Sequence, residues 1–504
     1  MRTKAGELTL RSNKPLRMQA PCLHQIPDHL VDGDKILHRR HLELLTNPAT
    51  SATLRIRSII TRTLREFFHK HEFVEVETPI LSYSSGGAVA KPFLTESVAN
   101  YRGKPLALRI APELWLKRLV VGGMERVYEI GPQFRDEHID ATHNPEFTIC
   151  EFYIAYYNLD MLMEMSQEIF RAVDAAVTAV IAANQPWEKF LPKSNIDWSQ
   201  PFQVFEFIPK LEELTGVTIP CLDTTPTDKI VAELTKIFES HSLPLPPNPT
   251  PAKLLDKLSS HFLEPLCIQP TFIIHHPELM SPLSKAFTRF NRRCALRFEL
   301  FVEGKELVNA YEEENDPSEQ RRKFLIQSNG GEIDDGYVEA LEYGLPPTGG
   351  WGCGIDRLVM LFTGAKKINE VLAFGGLRGA VNQGGEATYM KAEAAMSLKA
   401  RMEEDDDEPA GKTKNKEGKV QSGEEAKREE AKQKDPEYLA MKEAKRVKMV
   451  KKMEEKRRKK EAGLRWLARK EEARRARVGE KINGRVELDA AEADGMGKTN
   501  GKAK

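Results

Sequence analysis

Paired cysteines are the first feature that this sequence lacks. Its six cysteines are scattered, and no two of them form a Cys-x-x-Cys pair. This spacing argues against a structural zinc site and a disulfide framework, and it favours a reducing compartment. The sequence also has no apolar run of membrane-spanning length and does not open with a signal peptide. We therefore expect a soluble protein with no membrane partner.

Net charge is absent as well, because 75 basic and 75 acidic side chains balance over 504 residues. The balance conceals a division of the chain at residue 391. The positions from there to the end carry 33 Lys and Arg against 25 Asp and Glu, a net of +8, and the first 390 residues carry the compensating −8. The first part has the length and apolar content for one large core or two domains.

The stretch 386–504 has no hydrophobic periodicity. An acidic block at 405–408 precedes a segment, 442–477, that is dense in Lys, Arg and Glu and keeps no heptad. We predict a charged low-complexity tail that is either largely disordered or a solvated single helix with i,i+4 ion pairs. The functional alternative is nonspecific RNA binding, because clustered basic side chains release counterions from phosphates.

Residues 127–153 predict an antiparallel β-hairpin. Val127–Ile130 alternates apolar and polar side chains as a half-buried strand does, and His143-Asn144-Pro145 marks the turn. Period-two alternation in the return strand places four side chains on one face: Phe147, Ile149, Glu151 and Tyr153. With Arg135 on the other arm, the hairpin offers a guanidinium for phosphate, a ring for a base and a carboxylate for an amine. The pattern alone fits an ordinary ribbon with a surface ion pair equally well.

The sequence of this hairpin resembles a known motif. Phe-Arg-Asp-Glu at 134–137, followed by His143-x-x-x-Phe147, resembles motif 2 of the class II aminoacyl-tRNA synthetases. The longer run THNPEFTICEFYIAY resembles the lysyl-tRNA synthetases, in their eukaryotic form. The resemblance implies an α+β fold, an antiparallel sheet flanked by helices. It implies a catalytic domain over 53–378, with motif 1 at about 57–79, motif 2 at about 127–153, a variable insertion at 186–270 and motif 3 at about 349–361.

Two further segments resemble the other class II motifs. Arg55–Lys70 predicts an amphipathic helix with Ile56, Ile60 and Phe68 on its apolar face, followed by a strand over Phe73–Thr78. Helix, strand and the proline after them resemble motif 1, which implies a homodimer. The glycine-rich run from Gly349 into Gly354-Ile355-Asp356-Arg357-Leu358 resembles motif 3, in which glycine lets the backbone approach ATP.

An acidic ribbon follows the insertion. Arg297–Val302 alternates as a strand, Gly304-Lys305 predicts a hairpin turn, and Glu306, Val308 and Ala310 are expected on one face of the next strand. Glu299 and Glu306 then converge across the ribbon. Mg²⁺ takes a few protein oxygens together with phosphate and water, so the pair suits that ion. Spacing alone favours two solvated surface acids, and the family resemblance reverses that interpretation.

The resemblance also implies which residues bind the substrates ATP, L-lysine and tRNA(Lys). The residues implied to bind ATP are Arg135, Glu137, His143, Phe147, Glu299, Glu306 and Arg357. Of these, Arg135 and Arg357 are the implied catalytic residues, and Glu299 and Glu306 are the implied Mg²⁺ ligands. The lysine set is Gly87, Glu113, Glu151, Tyr153, Asn309 and Glu313. The glutamates suit an amino acid with two ammonium groups, whereas aspartate would be repelled. Aspartyl and asparaginyl relatives are therefore the weaker interpretation.

The ends of the chain carry further expectations. Residues 1–20 resemble the segment that closes the OB-type anticodon-binding barrel, with a linker over 21–52. We expect either that most of that domain is absent or that the start codon is misassigned. Stand-alone relatives without the barrel attach a lysine-type amino acid to a translation factor, and they remain an alternative. A non-catalytic scaffold acting through the tail is disfavoured by the intact motifs. Residues 373–378 resemble organellar fungal members, which predicts the mitochondrial matrix, with the cytoplasm as the alternative.

Three predictions concern the remaining structure. Met161–Ala183 predicts a helix with Met163, Ile169, Val173 and Val177 buried. The insertion predicts two helices, and its proline-rich link at 243–249 predicts a loop. Pro132, Asp136 and His138 depart from the usual motif 2 pattern, which leaves the geometry of its loop open.

Overall fold

A computed structural model describes residues 39–83, 86–87, 90–96, 105–191, 195–289, 291–328 and 333–374, with scattered positions before residue 39. All but four positions of the predicted barrel remnant (1–20) and the whole tail (386–504) lie outside the described residues. Within the described part, no helix has both the length and the apolar character needed to cross a membrane.

An eight-stranded sheet forms the centre of the fold. Its strands in spatial order are β1 (Val74–Glu75), β5 (Arg126–Phe134), β6 (Glu146–Ala155), β13 (Thr348–Gly354), β12 (Lys305–Glu312), β11 (Arg297–Val302), β8 (Thr271–Ile274) and β7 (Gln203–Glu206). Only the two outermost pairs are parallel, and the five inner pairs are antiparallel. The predicted α+β fold with an antiparallel sheet is confirmed.

Smaller sheets and helices surround this sheet. The small sheets consist of β2 (Leu81–Ser82), β4 (Leu106–Leu108) and β3 (Leu94–Thr95), and of β9 (Ala286–Arg289) and β10 (Arg292–Ala295). The described α-helices are α1 (Arg40–Thr46), α2 (Pro48–Lys70), α3 (Glu113–Val121), α4 (Leu159–Ala183), α5 (Phe207–Thr215), α6 (Thr227–Ser240), α7 (Pro251–Phe262), α8 (Pro317–Gln327), α9 (Asp335–Leu341), α10 (Ile355–Thr363) and α11 (Ile368–Val371). Short 3₁₀ helices cover Gln185–Lys189, Glu264–Leu266 and Glu278–Met280.

Helix α2 packs one face on the sheet. Its Ile56, Ile60, Leu64 and Phe68 are fully buried, and the Phe68 ring lies 5.5 Å from that of Phe152 on β6. Each such side chain contributes about 1.5–3 kcal/mol through burial. The predicted apolar face is confirmed. The helix begins seven residues earlier than predicted, because the side chain of Asn47 accepts a hydrogen bond from the Ala49 N–H and proline occupies the first turn.

Helix α4 lies over the sheet on the same core. Ile169, Val173 and Val177 are buried as predicted. The prediction was wrong for Met163, which is only partly buried, because Leu162 and Met165 lie on the side of the helix that faces the core. Asn158 caps this helix by accepting a hydrogen bond from the Met161 N–H.

The hairpin of β11 and β12 forms as predicted, with one difference. Leu300 pairs with Val308, and the next residue, Phe301, pairs with Glu306, so that Leu307 is an extra residue in β12. This β-bulge shifts the alternation of side chains. Val308 and Ala310 belong to the core, whereas Glu306 faces a cavity. The prediction that Glu306 shares their face was therefore wrong, because a bulge leaves no mark in a period-two pattern.

The insertion contains three α-helices where two were predicted. Helices α5, α6 and α7 pack around their own apolar cluster, which includes Phe207, Leu234 and Leu255 and reaches Ile273 of β8. Helix α5 is short, and it ends at Gly216 with φ of 69°. The proline-rich link lies in the loop between α6 and α7, as predicted.

Candidate active site

The hairpin of β5 and β6 forms as predicted and carries the first group of site residues. Glu129 pairs with Glu151 and Gln133 with Phe147, and the Arg135 N–H donates to the Pro145 carbonyl at 2.8 Å. The Arg135 guanidinium lies 5.0 Å from the centre of the Phe147 ring. Burial lowers the pKa of Arg135 while nearby carboxylates oppose the shift, and an arginine remains charged throughout the ordinary pH range.

A cavity of about 380 Å³ opens along this hairpin and brings most of the predicted residues together. Eleven of the thirteen line it: Gly87, Glu113, Arg135, Glu137, His143, Phe147, Glu151, Tyr153, Glu306, Asn309 and Arg357. Glu299 and Glu313 do not line the cavity. Each of these two lies beside a group that does, as the contacts below show.

One end of the cavity is cationic. The Arg357 guanidinium, on α10, donates from Nη2 to His143 Nε2 at 2.9 Å and from Nη1 to the carboxylate of Glu306 at 3.3 Å. His143 then donates from Nδ1 to Asp140 at 2.8 Å, which fixes its tautomer. Together with Arg135, this end presents two guanidinium groups and an imidazole, a set that suits a polyphosphate.

Glu299 and Glu306 lie beside that cationic end. Despite burial, Arg297 and His276 lower the pKa of Glu299 to about 2, with His276 Nε2 at 3.1 Å from its carboxylate. Burial and then Glu299 raise the pKa of Glu306. The two carboxylates are partly exposed and repel each other, and such a pair is a donor set that fits Mg²⁺. In the part of the chain that the structure describes, no cluster of three or more His, Cys, Asp and Glu forms a metal site. Two carboxylates suit an ion that takes phosphate and water as its other ligands.

The other end of the cavity is acidic. Glu113, at the start of α3, accepts a hydrogen bond at Oε1 from the Tyr311 hydroxyl at 2.5 Å. Glu151 accepts one at Oε2 from the Tyr153 hydroxyl at 3.0 Å, and burial, followed by the proximity of Glu113, raises the pKa of Glu151 to about 8. Glu313 Oε1 is buried without a hydrogen-bond partner among the described residues.

Lys117 was missed by the sequence analysis. Its Nζ lies 2.6 Å from Glu113 Oε1 and 2.5 Å from Glu313 Oε2, and its side chain is fully buried. The only signal in the sequence is the i,i+4 spacing of Glu113 and Lys117, which places the two on one helix face. That spacing is more typical of a solvated surface pair, so it did not mark a buried lysine.

A second missed group holds the motifs together. Asp356, on α10, accepts from the Thr148 N–H of β6 at 2.7 Å and forms an ion pair with Arg57 of α2. Arg57 also donates to the Thr148 hydroxyl at 2.9 Å. The segments resembling motifs 1, 2 and 3 are thus joined through one carboxylate and one guanidinium.

The departures in the motif 2 segment are accommodated locally. Pro132 lies in β5 where this strand has only β6 as a neighbour, since β1 pairs with Val127 and Tyr128 alone, so its missing N–H breaks no ladder. Asp136 pairs with Lys91, and its N–H donates to the Lys91 carbonyl at 2.7 Å. His138 lines the cavity.

Comparison with known proteins agrees with this geometry. Residues 32–378 match the model of the family described as tRNA synthetases class II (D, K and N). The mitochondrial lysine–tRNA ligase of Schizosaccharomyces pombe is 42% identical over 391 residues, which cover 75% of this chain and 71% of that protein. A lysine–tRNA ligase of Cladosporium cladosporioides is 42% identical over 73% of this chain and 63% of its own length. That of Aquifex aeolicus is 39% identical over 74% of this chain and 62% of its own length. The chain therefore belongs to the class II tRNA synthetases of the D, K and N group, in the branch of the lysine–tRNA ligases.

Proposed function

We propose that this chain is a lysine–tRNA ligase that activates L-lysine with ATP and transfers the lysyl group to tRNA(Lys) in protein synthesis. The observation that supports this proposal is that the two ends of one cavity carry side chains of opposite charge. Arg135 and Arg357 line one end of the cavity, and their positive charges support ATP binding there. At the other end, Glu113 and Glu313 both pair with the buried ammonium of Lys117, so this end already holds the kind of group that lysine brings.

At the cationic end, the residues hold ATP and stabilise charge. Arg135 binds the α-phosphate and stabilises the charge that develops as the lysine carboxylate attacks, and Arg357 binds the γ-phosphate with His143 beside it. Phe147 stacks on adenine, and Glu137 accepts from its exocyclic amine. Glu299 and Glu306 would hold Mg²⁺, which would supply charge neutralisation. The protein acts by positioning and electrostatics, without a covalent enzyme intermediate.

At the acidic end, the residues select lysine. Glu113 pairs with the α-ammonium group and Glu313 with the ε-ammonium group, and Gly87 admits the substrate close to the backbone. The remaining contacts come from Glu151, Tyr153 and Asn309. Aspartate would bring a carboxylate against buried carboxylates, which costs several kcal/mol.

Exchange of pyrophosphate into ATP tests this proposal. We expect exchange that depends on lysine and is at background with aspartate or asparagine, because only lysine supplies a second ammonium group. The assay is run with each amino acid at saturating ATP. Exchange driven by aspartate, or by none of the three, would contradict the proposal.

Partners and location extend the proposal. Exposed apolar side chains around β1 to β3 favour a homodimer: Val74 is 48%, Leu81 49% and Leu94 65% exposed. The S. pombe relative is mitochondrial, which favours the mitochondrial matrix over the cytoplasm, although the relative from Vairimorpha ceranae is named as a probable cytoplasmic enzyme.

Gly350 offers a test of the lysine end that leaves every charge in place. A Cβ at Gly350 would lie 1.9 Å from Glu313 Oε1 and 2.7 Å from Tyr153 Cε1, so Gly350→Ala must displace the carboxylate. We expect the KM for lysine to rise about tenfold to a hundredfold, the range of one disturbed contact to a charge, with little change in the KM for ATP.

Gly352→Ala is the matched control for that measurement. It adds the same methyl group to the same strand, but its Cβ meets no atom closer than 3.5 Å. We expect its KM for lysine to stay close to that of the parent chain. Similar changes of the KM for lysine in the two variants would mean that the displacement of Glu313 is not the cause of the weaker lysine binding.

A further inference from the structure

Lys117 is a fully buried cation that the reaction as described above does not use. It lies on α3 between Glu113 of the same helix and Glu313, which follows β12. Its ammonium also lies 5.6–6.0 Å from the ring centres of Tyr153, Tyr311 and Tyr337. A buried lysine is rare unless it is paired, and here two carboxylates and three rings surround it.

The two carboxylates divide their oxygens in the same way. Glu113 turns Oε1 to Lys117, and its Oε2 lies 3.7 Å from the Cβ position of Gly87 in the cavity wall. Glu313 turns Oε2 to Lys117, and its unpaired Oε1 lies against the Cβ position of Gly350 in the same wall. Each acid thus gives one oxygen to Lys117 and leaves the other beside a glycine of the cavity wall, and the Glu313 carboxylate itself is fully buried.

We propose that Lys117 is a positioning residue that determines specificity: its ammonium holds one oxygen of Glu113 and one of Glu313, so that their other oxygens receive the two ammonium groups of a diamino acid. This inference rests on the proposed function. It adds that the selection of lysine requires a third ammonium group, supplied by the protein, which orients both acids at once.

The charges around Lys117 support the same positioning role. Burial opposes the charge of Lys117, but Glu113 and Glu313 outweigh it and raise its pKa above the usual value, so the group stays an ammonium. Burial raises the pKa of Glu151 to about 8, so this acid is largely protonated at neutral pH. Burial raises the pKa of Glu313 as well, and the Lys117 ammonium opposes that shift, so Lys117 favours the charged form of this acid.

Removal of Lys117 takes away the positive charge that the two acids share. The ionisable groups that face it come from α3, β6, β12, the segment after β12, and α9, and they are Glu113, Tyr153, Tyr311, Glu313 and Tyr337. None of them is a cation. Without the ammonium, the carboxylates repel each other, their charged forms become less favourable and they ionise only at higher pH.

Chemical rescue of Lys117→Ala tests the inference. We expect the KM for lysine to rise about a hundredfold, as for loss of a buried charge contact, and the KM for ATP to change less than about threefold. Propylammonium should lower that raised KM for lysine at least tenfold, because it returns an ammonium group to the space left by the side chain. 1-Propanol should not lower it. In Lys117→Met, the rise of kcat/KM for lysine should move to higher pH.

Lys323→Ala is the matched control. Lys323 is another buried lysine, 2.5 Å from Glu314 Oε2, and it does not line the cavity. Its removal should lower the temperature of unfolding without raising the KM for lysine or shifting the pH profile. If Lys117→Ala behaves like Lys323→Ala, or if propanol rescues as well as propylammonium, Lys117 is only structural and the inference is overturned. A parent chain without lysine-dependent exchange would overturn the proposed function first.

Discussion

Arg135→Ala is expected to lower the rate of lysine-dependent ATP–pyrophosphate exchange at least about a thousandfold, equivalent to about 4 kcal/mol of transition-state stabilisation. Arg135 is the guanidinium that lies in the cavity wall between the acidic end and Arg357. In the proposed mechanism, its charge acts where the lysine carboxylate meets the α-phosphate and negative charge builds up. Arg135 is partly buried, and a charge there interacts more strongly than it would in bulk water. The measurement is the exchange rate at saturating lysine and ATP.

Two variants show whether the loss is specific. Arg135→Lys keeps a positive charge but loses the planar fork that holds two phosphate oxygens, so we expect a loss between those of the parent and Arg135→Ala. Arg126→Ala removes a guanidinium from the start of the same strand, where it donates to the His71 carbonyl at 2.7 Å outside the cavity. Its exchange rate should stay within a few-fold of the parent. An unchanged rate in Arg135→Ala would remove this residue from the mechanism.

The sequence was most informative where local pattern and motif coincide. Val127–Ile130, the turn before Pro145 and the strand from Phe147 predicted the hairpin, because alternation and proline act through neighbouring residues. The structure forms that hairpin and extends its strands to Arg126–Phe134 and Glu146–Ala155. The cavity then gathers eleven of the thirteen predicted residues. What they bind stays a prediction from the family.

The features that the sequence did not predict depend on contacts between distant residues. The bulge at Leu307 arises from the register of β12 against β11, and it moves Glu306 away from the face of Val308. Lys117 and Glu313 are 196 positions apart, so no local pattern could place their charges together. The same holds for Asp356 and Thr148, which join α10 to β6.

Burial also explains why ordinary spacing was misleading at Lys117. A Glu and a Lys four residues apart on a helix usually lie in solvent, where such a pair contributes only tenths of a kcal/mol. Here the approach of β6, β12 and α9 encloses the pair, and three tyrosine rings surround the ammonium. The energetic weight of the contact comes from that enclosure, which only the assembled fold determines.

Glu313→Gln is expected to raise the KM for lysine about a thousandfold, equivalent to about 4 kcal/mol, since truncating one partner of a buried charge pair costs 2–5 kcal/mol or more. The substitution keeps the size and shape of the side chain and removes only its charge. The ε-ammonium of lysine would then meet a neutral amide, whose nitrogen cannot accept a hydrogen bond from it. The KM for ATP should change by less than about threefold, because the phosphates bind at the arginine end.

Glu314→Gln is the control for this variant. Glu314 is the next residue, is also buried and also pairs with a buried lysine, Lys323. Neither acid lines the cavity, but Glu313 lies against the lining residue Gly350, whereas the Glu314 carboxylate contacts Asp316 and Lys323, which do not line it. Both substitutions remove one buried negative charge beside a lysine, so a general loss of folding would affect the two alike. Steady-state exchange kinetics with lysine varied, and then with ATP varied, separate the cases. A rise in the KM for lysine in Glu313→Gln alone identifies its carboxylate as the partner of the ε-ammonium, whereas equal losses for lysine and ATP would place that ammonium elsewhere.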